Sequence, residues 1–391
     1  MKIAQVVASY HPRIGGLETH VRRLAHGCAE AGDDVTVLTH QVDGSPTEER
    51  IGAVRVLRFP LTLSLSNYPV SFSLFRYLRI HAADFDLVHA HSYHNLVGQA
   101  AVGSCVPFVF TPHYHGTGHT PFRAFLHRLY RPVGARLFSA ADAVICVSEA
   151  ERDLVTRDFP CVAGKAVTIP NGIGPQLAER DDGSRMFHEP VVLSVGRLER
   201  YKNVDLIIDA FRALPCRAIL AVVGEGPDRT RLERRAQPAD PAMPIIFTGR
   251  ISDKALDDLL AQACVVTSAS DHEAFGLTVA DGLASGARVV ASAIPAHVEL
   301  ARQAGADAPV ALVDPRDTKT FAGMLSAFIR AGRVAEARPR LPSWTEVVAT
   351  TRDLYAQVCV QDHPAIEAGP PDTALLPDVP RSAEQAVTES A

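Results

Sequence analysis

The sequence predicts an α/β chain of two doubly wound, Rossmann-like domains that face one another across a cleft. Three observations lead there. The 391 residues exceed what one ordinary hydrophobic core organises. Short β-branched runs alternate with helical patterns, the signature of parallel sheets covered by helices on both faces. The alternation breaks at a polar, charge-rich interval and then restarts.

The first domain, residues 1–175, opens with "KIAQVVAS" as a strand, a Gly15-Gly16 turn, and "LETHVRRLAHGCAEAG" as a helix stopped by Gly32. "DVTVLTH" and "VRVLRF" read as strands and "SFSLFRYLRIHAA" as a helix. "DLVHAH" is a strand feeding a helix through Ala101; "PFVFTPH" and "ADAVICVS" are strands, the latter with a helix after it, and "AVTIPNGI" closes the domain. Residues 176–189, within "GPQLAERDDGSRMFHEP", form a linker.

The second domain, residues 190–342, repeats the pattern. Strands "VVLSVGRL", "RAILAVVG", "PIIFTGR", "CVVTSAS", "ARVVAS" and "PVALVD" are separated by helices at "NVDLIIDAFRAL", "RTRLERRA", "KALDDLLAQA" and the stretch after Glu273. "LPSWTEVVATTRDLYAQVC" is a last amphipathic helix, 343–359, and the Pro-, Ala- and acid-rich tail 363–391 is expected to be disordered. Two such domains place the carboxyl ends of their sheets across a cleft, where ligands of open α/β sheets bind.

Composition narrows the function. With 47% hydrophobic and 21% charged residues the chain is globular. A net charge of −5 gives no reason to expect nucleic acid. No apolar run approaches the roughly 18–20 residues of a membrane span, and the N-terminus reads as a strand, not a signal peptide. The seven cysteines are scattered and never spaced as CxxC, which suggests free thiols in a reducing cytosol. From Leu87 to Ala141 there is no Asp or Glu, while Arg123, Arg128, Arg131, Arg136 and seven histidines fall there. This region is expected to carry positive potential and to favour an anionic partner.

The stretch "SASDHEAFGLTVADGLASGARVVAS" leaves a strand and enters a small-residue helix at the cleft edge. Backbone N–H groups of Phe275, Gly276 and Leu277 are then open donors at a helix start, a seat for an anion. Glu273 lies just before that helix and Asp281 about a turn into it, so they can touch different parts of one extended ligand such as a nucleotide sugar. Both acids simply capping a helix is the other reading, and these residues alone leave it open. Arg197 and Lys202, in "VGRLERYKN", leave the neighbouring strand and suit a diphosphate: one binds with a fork, the other as a point charge.

Here the sequence resembles the retaining branch of the GT-B glycosyltransferases, which includes glycogen and sucrose synthases and bacterial mannosyl- and glucosyltransferases. The resemblance spans about residues 1–359. It rests on "GGLETHV", "DLVHAH", "FTPHYHG", "VSEAER", "IPNGI", "VGRLERYKN", "VVGEGPDRTRLE", "FTGRISDKALDDLL" and the stretch around Glu273, in the family's order, with "SWTEV" opening the family's closing helix. It implies transfer of a hexose from a UDP- or GDP-sugar, with no cofactor and no catalytic metal, to a sugar, lipid-linked or small-molecule acceptor. It further implies that Arg197 and Lys202 stabilise the leaving diphosphate. Glu273 and His113 would meet the donor sugar, Asp281 the ribose, and the backbone of Arg250 and Ile251 the base. Gly15 and Gly16 would approach the diphosphate or acceptor; His91 and Arg123 would lie on the acceptor side. Two positions depart from the family pattern: Asp281 stands where Glu is usual, with a reach shorter by one methylene, and Ala274 where Gly is usual. An epimerase acting on a nucleotide sugar, and a non-catalytic nucleotide-sugar binder, are the alternatives.

Three further features are set aside or kept open. His89, His91, His94, His113 and His115 invite a metal reading, but no carboxylate or cysteine joins them within the acid-free interval, so no metal is expected. His89 is read as an inward-facing strand residue. Asp84-Phe85-Asp86 matches a metal-binding DxD but precedes its strand, at the wrong edge. The helix 121–136 carries apolar residues on one face and Arg123, His127, Arg128 and Arg131 on the other. It either packs on the core or meets an anionic acceptor or membrane surface. A cytoplasmic protein, peripheral at the inner membrane face through that helix, is the resulting expectation.

Overall fold

The structure, a computed structural model, describes residues 1–13, 15–42, 44–65, 68–116, 121–174, 186–334 and 339–360, with backbone alone for 64, 65, 68 and 121–129. The expected linker, apart from 186–189, and the expected disordered tail lie outside the described residues.

The N-terminal half holds β1 (Lys2–Val6), α1 (Gly16–Glu30), β2 (Asp34–His40), β3 (Glu48–Ile51), β4 (Val54–Phe59), a small hairpin β5 (Leu63–Leu65) and β6 (Tyr68–Val70), and α2 (Phe72–His81). It continues through β7 (Leu87–His91), β8 (Phe108–Thr111), α3 (Pro121–Ala140), β9 (Ala143–Cys146), α4 (Glu149–Asp158) and β10 (Ala166–Thr168). Its sheet runs β10-β9-β8-β7-β1-β2-β4-β3, parallel except for the antiparallel edge strand β3. The central strands are buried on both sides, which explains their near-continuous apolar runs.

The C-terminal half comprises β11 (Val191–Val195), α5 (Val204–Arg212), β12 (Ile219–Val223), α6 (Arg229–Arg235), β13 (Ile245–Gly249), α7 (Asp253–Gln262), β14 (Ala263–Ser268), α8 (Leu277–Ala284), β15 (Arg288–Ala291), α9 (Pro295–Ala304), β16 (Val310–Leu312), α10 (Thr318–Ala331) and α11 (Trp344–Val360). Its sheet is wholly parallel, in the order β13-β12-β11-β14-β15-β16. The order reverses between β11 and β14, so the loops leaving these two strands stand side by side at the switch point.

Some elements differ from expectation. The helix through Ala101 is only a 3-10 turn, Val97–Ala101; Gly98 in its middle lowers helix propensity, and there is no side-chain cap. α9 and α10 have no counterpart in the sequence reading. α9 starts with Pro295 in its first turn, and Asp317 caps α10 by accepting from the Thr320 N–H at 3.1 Å. β3, "EERI", is a short charged strand of the kind that blunts a sheet edge.

α11 returns from the second sheet to pack on α1. Tyr355 is buried there, accepting from Gln5 Nε2 at 3.2 Å and lying 2.6 Å from His89 Nδ1, and Arg352 pairs with Asp33 at 2.7 Å. Where the chain crosses over, the Ile173 N–H donates to the Pro342 carbonyl at 2.9 Å. A Cβ on the adjacent Gly172 would stand 2.5 Å from the Trp344 backbone nitrogen and 2.6 Å from its Cα. Only glycine lets these two backbones pass. Gly172→Ala is therefore expected to cost about 1–3 kcal/mol, the range for overpacking, seen as a lower midpoint in chemical denaturation. Gly174→Ala, whose added carbon meets nothing within 4 Å, is the control.

Candidate active site

At the switch point the chain leaves β11 through Gly196 and Arg197 and makes a 3-10 turn, Arg200–Lys202. Asn203, left-handed at φ 48°, starts α5 and donates from Nδ2 to the Ala269 carbonyl at 3.0 Å, tying this loop to the one leaving β14. The two loops thereby bring together Lys202 and Glu273, which form an ion pair. Ser270 Oγ donates to the same Glu273 oxygen at 2.8 Å. Burial alone would favour the neutral form of each. The mutual attraction and hydrogen bond outweigh it, holding the Glu273 carboxyl below and the Lys202 ammonium above their ordinary values. Both groups are thus charged at neutral pH before any ligand arrives. A cavity at the end of β11 is lined by Gly196, Arg197, Lys202 and residues 267–270.

After Glu273 the chain turns into α8. Gly276 takes φ 99°, and a Cβ there would lie 2.9 Å from His297 Cδ2, so glycine is required twice over. No side chain caps α8, so the donors ahead of Val279, whose own N–H bonds the Gly276 carbonyl at 2.9 Å, are left to a ligand. Phe275 is buried in the core and fixes the turn, while Leu277 reaches the other half of the molecule: a Cβ on Gly16 would sit 3.6 Å from its Cδ1. Asp281 follows one turn later, half-buried, with no hydrogen bond to its carboxylate among the described residues. Burial pushes its carboxyl up to about 7; Arg23 acts against this and Asp257 with it.

The opposite wall starts at the Gly15-Gly16 turn. Arg197 extends to it, its Cδ being 3.9 Å from where a Gly15 Cβ would stand, while the guanidinium pairs with Glu199 at 2.9 Å and remains largely exposed. Arg250, just past β13, donates to the Pro12 carbonyl at 2.9 Å, and Arg22 pairs with Asp253 at 2.7 Å. Ile251 packs at the margin of the second core. Behind the cleft, the Glu299 carboxylate accepts from the N–H groups of Glu149 and Ala150 at 2.8 and 2.9 Å, and Ser148 Oγ donates to the Ala274 carbonyl at 2.7 Å. Gly15 and Gly16 of the first half therefore face Arg197 and Leu277 of the second.

The histidines sort differently from expectation. His113, at the end of β8, is held at φ 47°, a strained position for a residue with a side chain, and is half-buried at the cleft. His91, expected on the acceptor side, is fully buried, because β7 is a central strand covered on both faces; its Nε2 lies 2.6 Å from Gln5 Oε1. His20, from α1, joins them, with ring centroids 4.8 Å from His113 and 5.5 Å from His91. Burial lowers all three, His20 to about 4. His89 is buried, bonded through both ring nitrogens to Tyr355 and Thr111. A ring ladder, His94–His115–His272–Tyr201, crosses the cleft with centroid spacings of 4.3, 5.0 and 4.5 Å.

His20, His272 and His297 were invisible to sequence reasoning, each being a lone histidine whose neighbours come from elsewhere in the chain. Asp84 and Asp86 serve local structure, next to His81 and the Lys2 N–H. Arg123 lies outside the described side chains. On the same helix Arg131 is exposed, as expected, and also donates to the Asp158 carbonyl at 2.6 Å and lies over the Phe159 ring.

Residues 14–177 match the family described as Glycosyltransferase Family 4, and residues 179–339 match Glycosyl transferases group 1. The chain belongs to the GT-B glycosyltransferases, group 1. Its relatives include a GDP-mannose-dependent alpha-(1-6)-phosphatidylinositol dimannoside mannosyltransferase of Mycobacterium tuberculosis, 29% identical over 77% of this chain and 81% of the relative. Among solved structures, sucrose-phosphate synthase from Thermosynechococcus elongatus superposes with a TM-score of 0.74 at 23% identity, over 91% of this chain and 98% of the other. The Anabaena protein HepE, in complex with UDP and glucose, does so at 0.65 and 18%, over 91% and 100%.

Within this GT-B glycosyltransferase, the raised Asp281 carboxyl on α8 can be tested through stability. Its folded value near 7 lies above the ordinary 3.8, so ionising it weakens the fold. That penalty is absent below pH 4, grows between 4 and 7, and is full above 7. Asp281→Asn is accordingly expected to melt higher than the parent at pH 8, with the gap shrinking toward pH 5. A gap that stays constant with pH would show that this carboxyl does not titrate there.

Proposed function

We propose that this glycosyltransferase moves a hexose, with retention of anomeric configuration, from a UDP- or GDP-sugar to a sugar, lipid-linked or small-molecule acceptor held by the N-terminal half. The observation that carries this reading is the ionised Lys202–Glu273 pair beside the uncapped start of α8, opposite the Gly15-Gly16 turn. A diphosphate fits there because open helix donors, an ammonium and a guanidinium converge on one small volume. The GDP-mannose-dependent relative and the UDP complex of the Anabaena neighbour support a nucleotide-sugar donor.

In this mechanism the bond from the anomeric carbon to the diphosphate oxygen breaks while the acceptor oxygen bonds to the same face. The acceptor's proton passes to the departing phosphate oxygen. Negative charge develops on that oxygen, where Lys202 and Arg197 stabilise it most in the transition state. Lys202 is already oriented by Glu273 and by the rigid turn. Arg197 must exchange Glu199 for phosphate, a cheap exchange at an exposed pair. Glu273 keeps a second carboxylate oxygen for the donor sugar, Asp281 meets the ribose, and the backbone at Arg250 and Ile251 meets the base. His113 and the Gly15-Gly16 turn close on the sugar from the other side, and no metal takes part in the transfer step. A lipid-linked acceptor would approach along α3, whose N-terminal part spans 121–136.

Calorimetric titration with UDP, GDP and ADP should show binding of one nucleotide, weakened by Arg197→Ala. Loss of that charge-assisted contact is expected to cost about 1.5–3 kcal/mol, roughly ten- to hundredfold in turnover. Unchanged turnover in Arg197→Ala would end this assignment. Product NMR reads the anomeric configuration, and an inverted product would remove the same-face mechanism. Conversion of the donor sugar without acceptor would point to an epimerase instead.

A further inference from the structure

We infer that His20, His91 and His113 form a binding site for one divalent transition-metal ion of the zinc type, at the N-terminal wall of the cleft. Their ligand nitrogens lie within 4.8 Å of one another, and each ring keeps a buried nitrogen, His20 Nε2, His91 Nδ1 and His113 Nε2, with no hydrogen-bond partner. An unpartnered buried polar atom is costly, and three at one spot call for a group that serves them together.

The surrounding hydrogen bonds set the ring tautomers. Tyr355 OH takes the Gln5 amide N–H, which turns the Gln5 oxygen toward His91. An amide oxygen can only accept, so His91 donates from Nε2 and its Nδ1 carries a lone pair. By the same logic His20 donates from Nδ1 to Asn171 Oδ1 at 2.6 Å, and its Nε2 carries a lone pair. A ring N–H anchored on a protein oxygen while the other nitrogen stays bare is the arrangement that orients metal-binding imidazoles. His113 supplies the third ring from a backbone conformation that costs energy to hold. Three neutral imidazoles without a carboxylate suit Zn2+ or Co2+, not Mg2+ or Ca2+. His113 alone of the three is partly exposed, so the fourth coordination position opens on the cleft. Tetrahedral zinc at about 2.0–2.1 Å from each nitrogen requires the rings to close by a modest rotation. The sequence expectation of no metal rested on the acid-free interval and on the family resemblance; His20 lies outside that interval.

The test uses the full chain stripped with a chelator and titrated with Zn2+ against a chromogenic indicator at pH 7.5. One ion per chain is expected, unaffected by excess Mg2+, with a rise in melting temperature; Co2+ should give the intense visible bands of a four-coordinate site. His113→Asn, chosen because Asn tolerates the left-handed backbone, should weaken binding at least a hundredfold. The exposed His81→Ala should leave it intact. His20→Gln, with its fold checked by circular dichroism, is the second variant and should lose the ion likewise. Absence of stoichiometric binding would mean that a water bridges the three rings. Binding that survives both His113→Asn and His20→Gln would place the ion elsewhere. Either result overturns the inference, and neither depends on nucleotide binding or transfer.

Discussion

One carboxylate joins the two halves of this molecule. Glu299, on α9 of the second sheet, accepts the first two N–H groups of α4, which belongs to the first. Those donors have no partner within their own helix, and the positive end of a helix is where a carboxylate is held best. Ser148, the residue before α4, adds its bond to the Ala274 carbonyl in the loop that carries Glu273. The contact therefore ties the entry of one domain's helix to the Glu273 loop of the other. With the Arg250–Pro12 and Arg22–Asp253 contacts, it sets the spacing of Gly16 against Leu277, Arg197 against Gly15, and the ring ladder through His115 and His272.

Within the cleft, organisation precedes ligand. An ion pair as enclosed as Lys202–Glu273 is costly to desolvate, and its value as a stabiliser is doubtful on general grounds. Its use lies elsewhere. On the proposed function, a lysine already ionised and oriented would meet a diphosphate without a reorganisation cost at the moment of reaction. Arg197, exposed and resting on Glu199, supplies the adjustable counterpart. One cation is fixed and one is recruitable, both on the loop of a single strand.

The N-terminal wall is built on another principle. Its histidines sit over Gln5, Thr111, Asn171 and Tyr355 in a network where nearly every polar atom is paired. Three nitrogens without a partner meet where His20, His91 and His113 converge. A buried polar network left open at one point is expensive, so that point is where a bound group belongs. Tyr355 contributes from the last helix, so the end of the chain helps set the chemistry of its first hundred residues.

Taken by itself, the sequence determined the fold class, the two-sheet plan, the helix start at Gly276, and the charged residues at the carboxyl ends of β11 and β14. These are local facts: a strand's apolar run, a Gly-rich turn and a cation at a strand exit are legible wherever they occur. α9, α10 and the edge strand β3 went unread, the last because its residues are charged. Only the tertiary structure decided that Lys202 and Glu273 pair across 71 residues, since that requires β11 and β14 to be neighbours. It also decided that His91 lies inside while His113 opens to the cleft, and that His20 joins them from α1. It made Glu299 the cap of a helix 150 residues away. The reason is the same in each case: which strands adjoin and which helix covers them is set by burial summed over the whole core, and no window of sequence contains that sum.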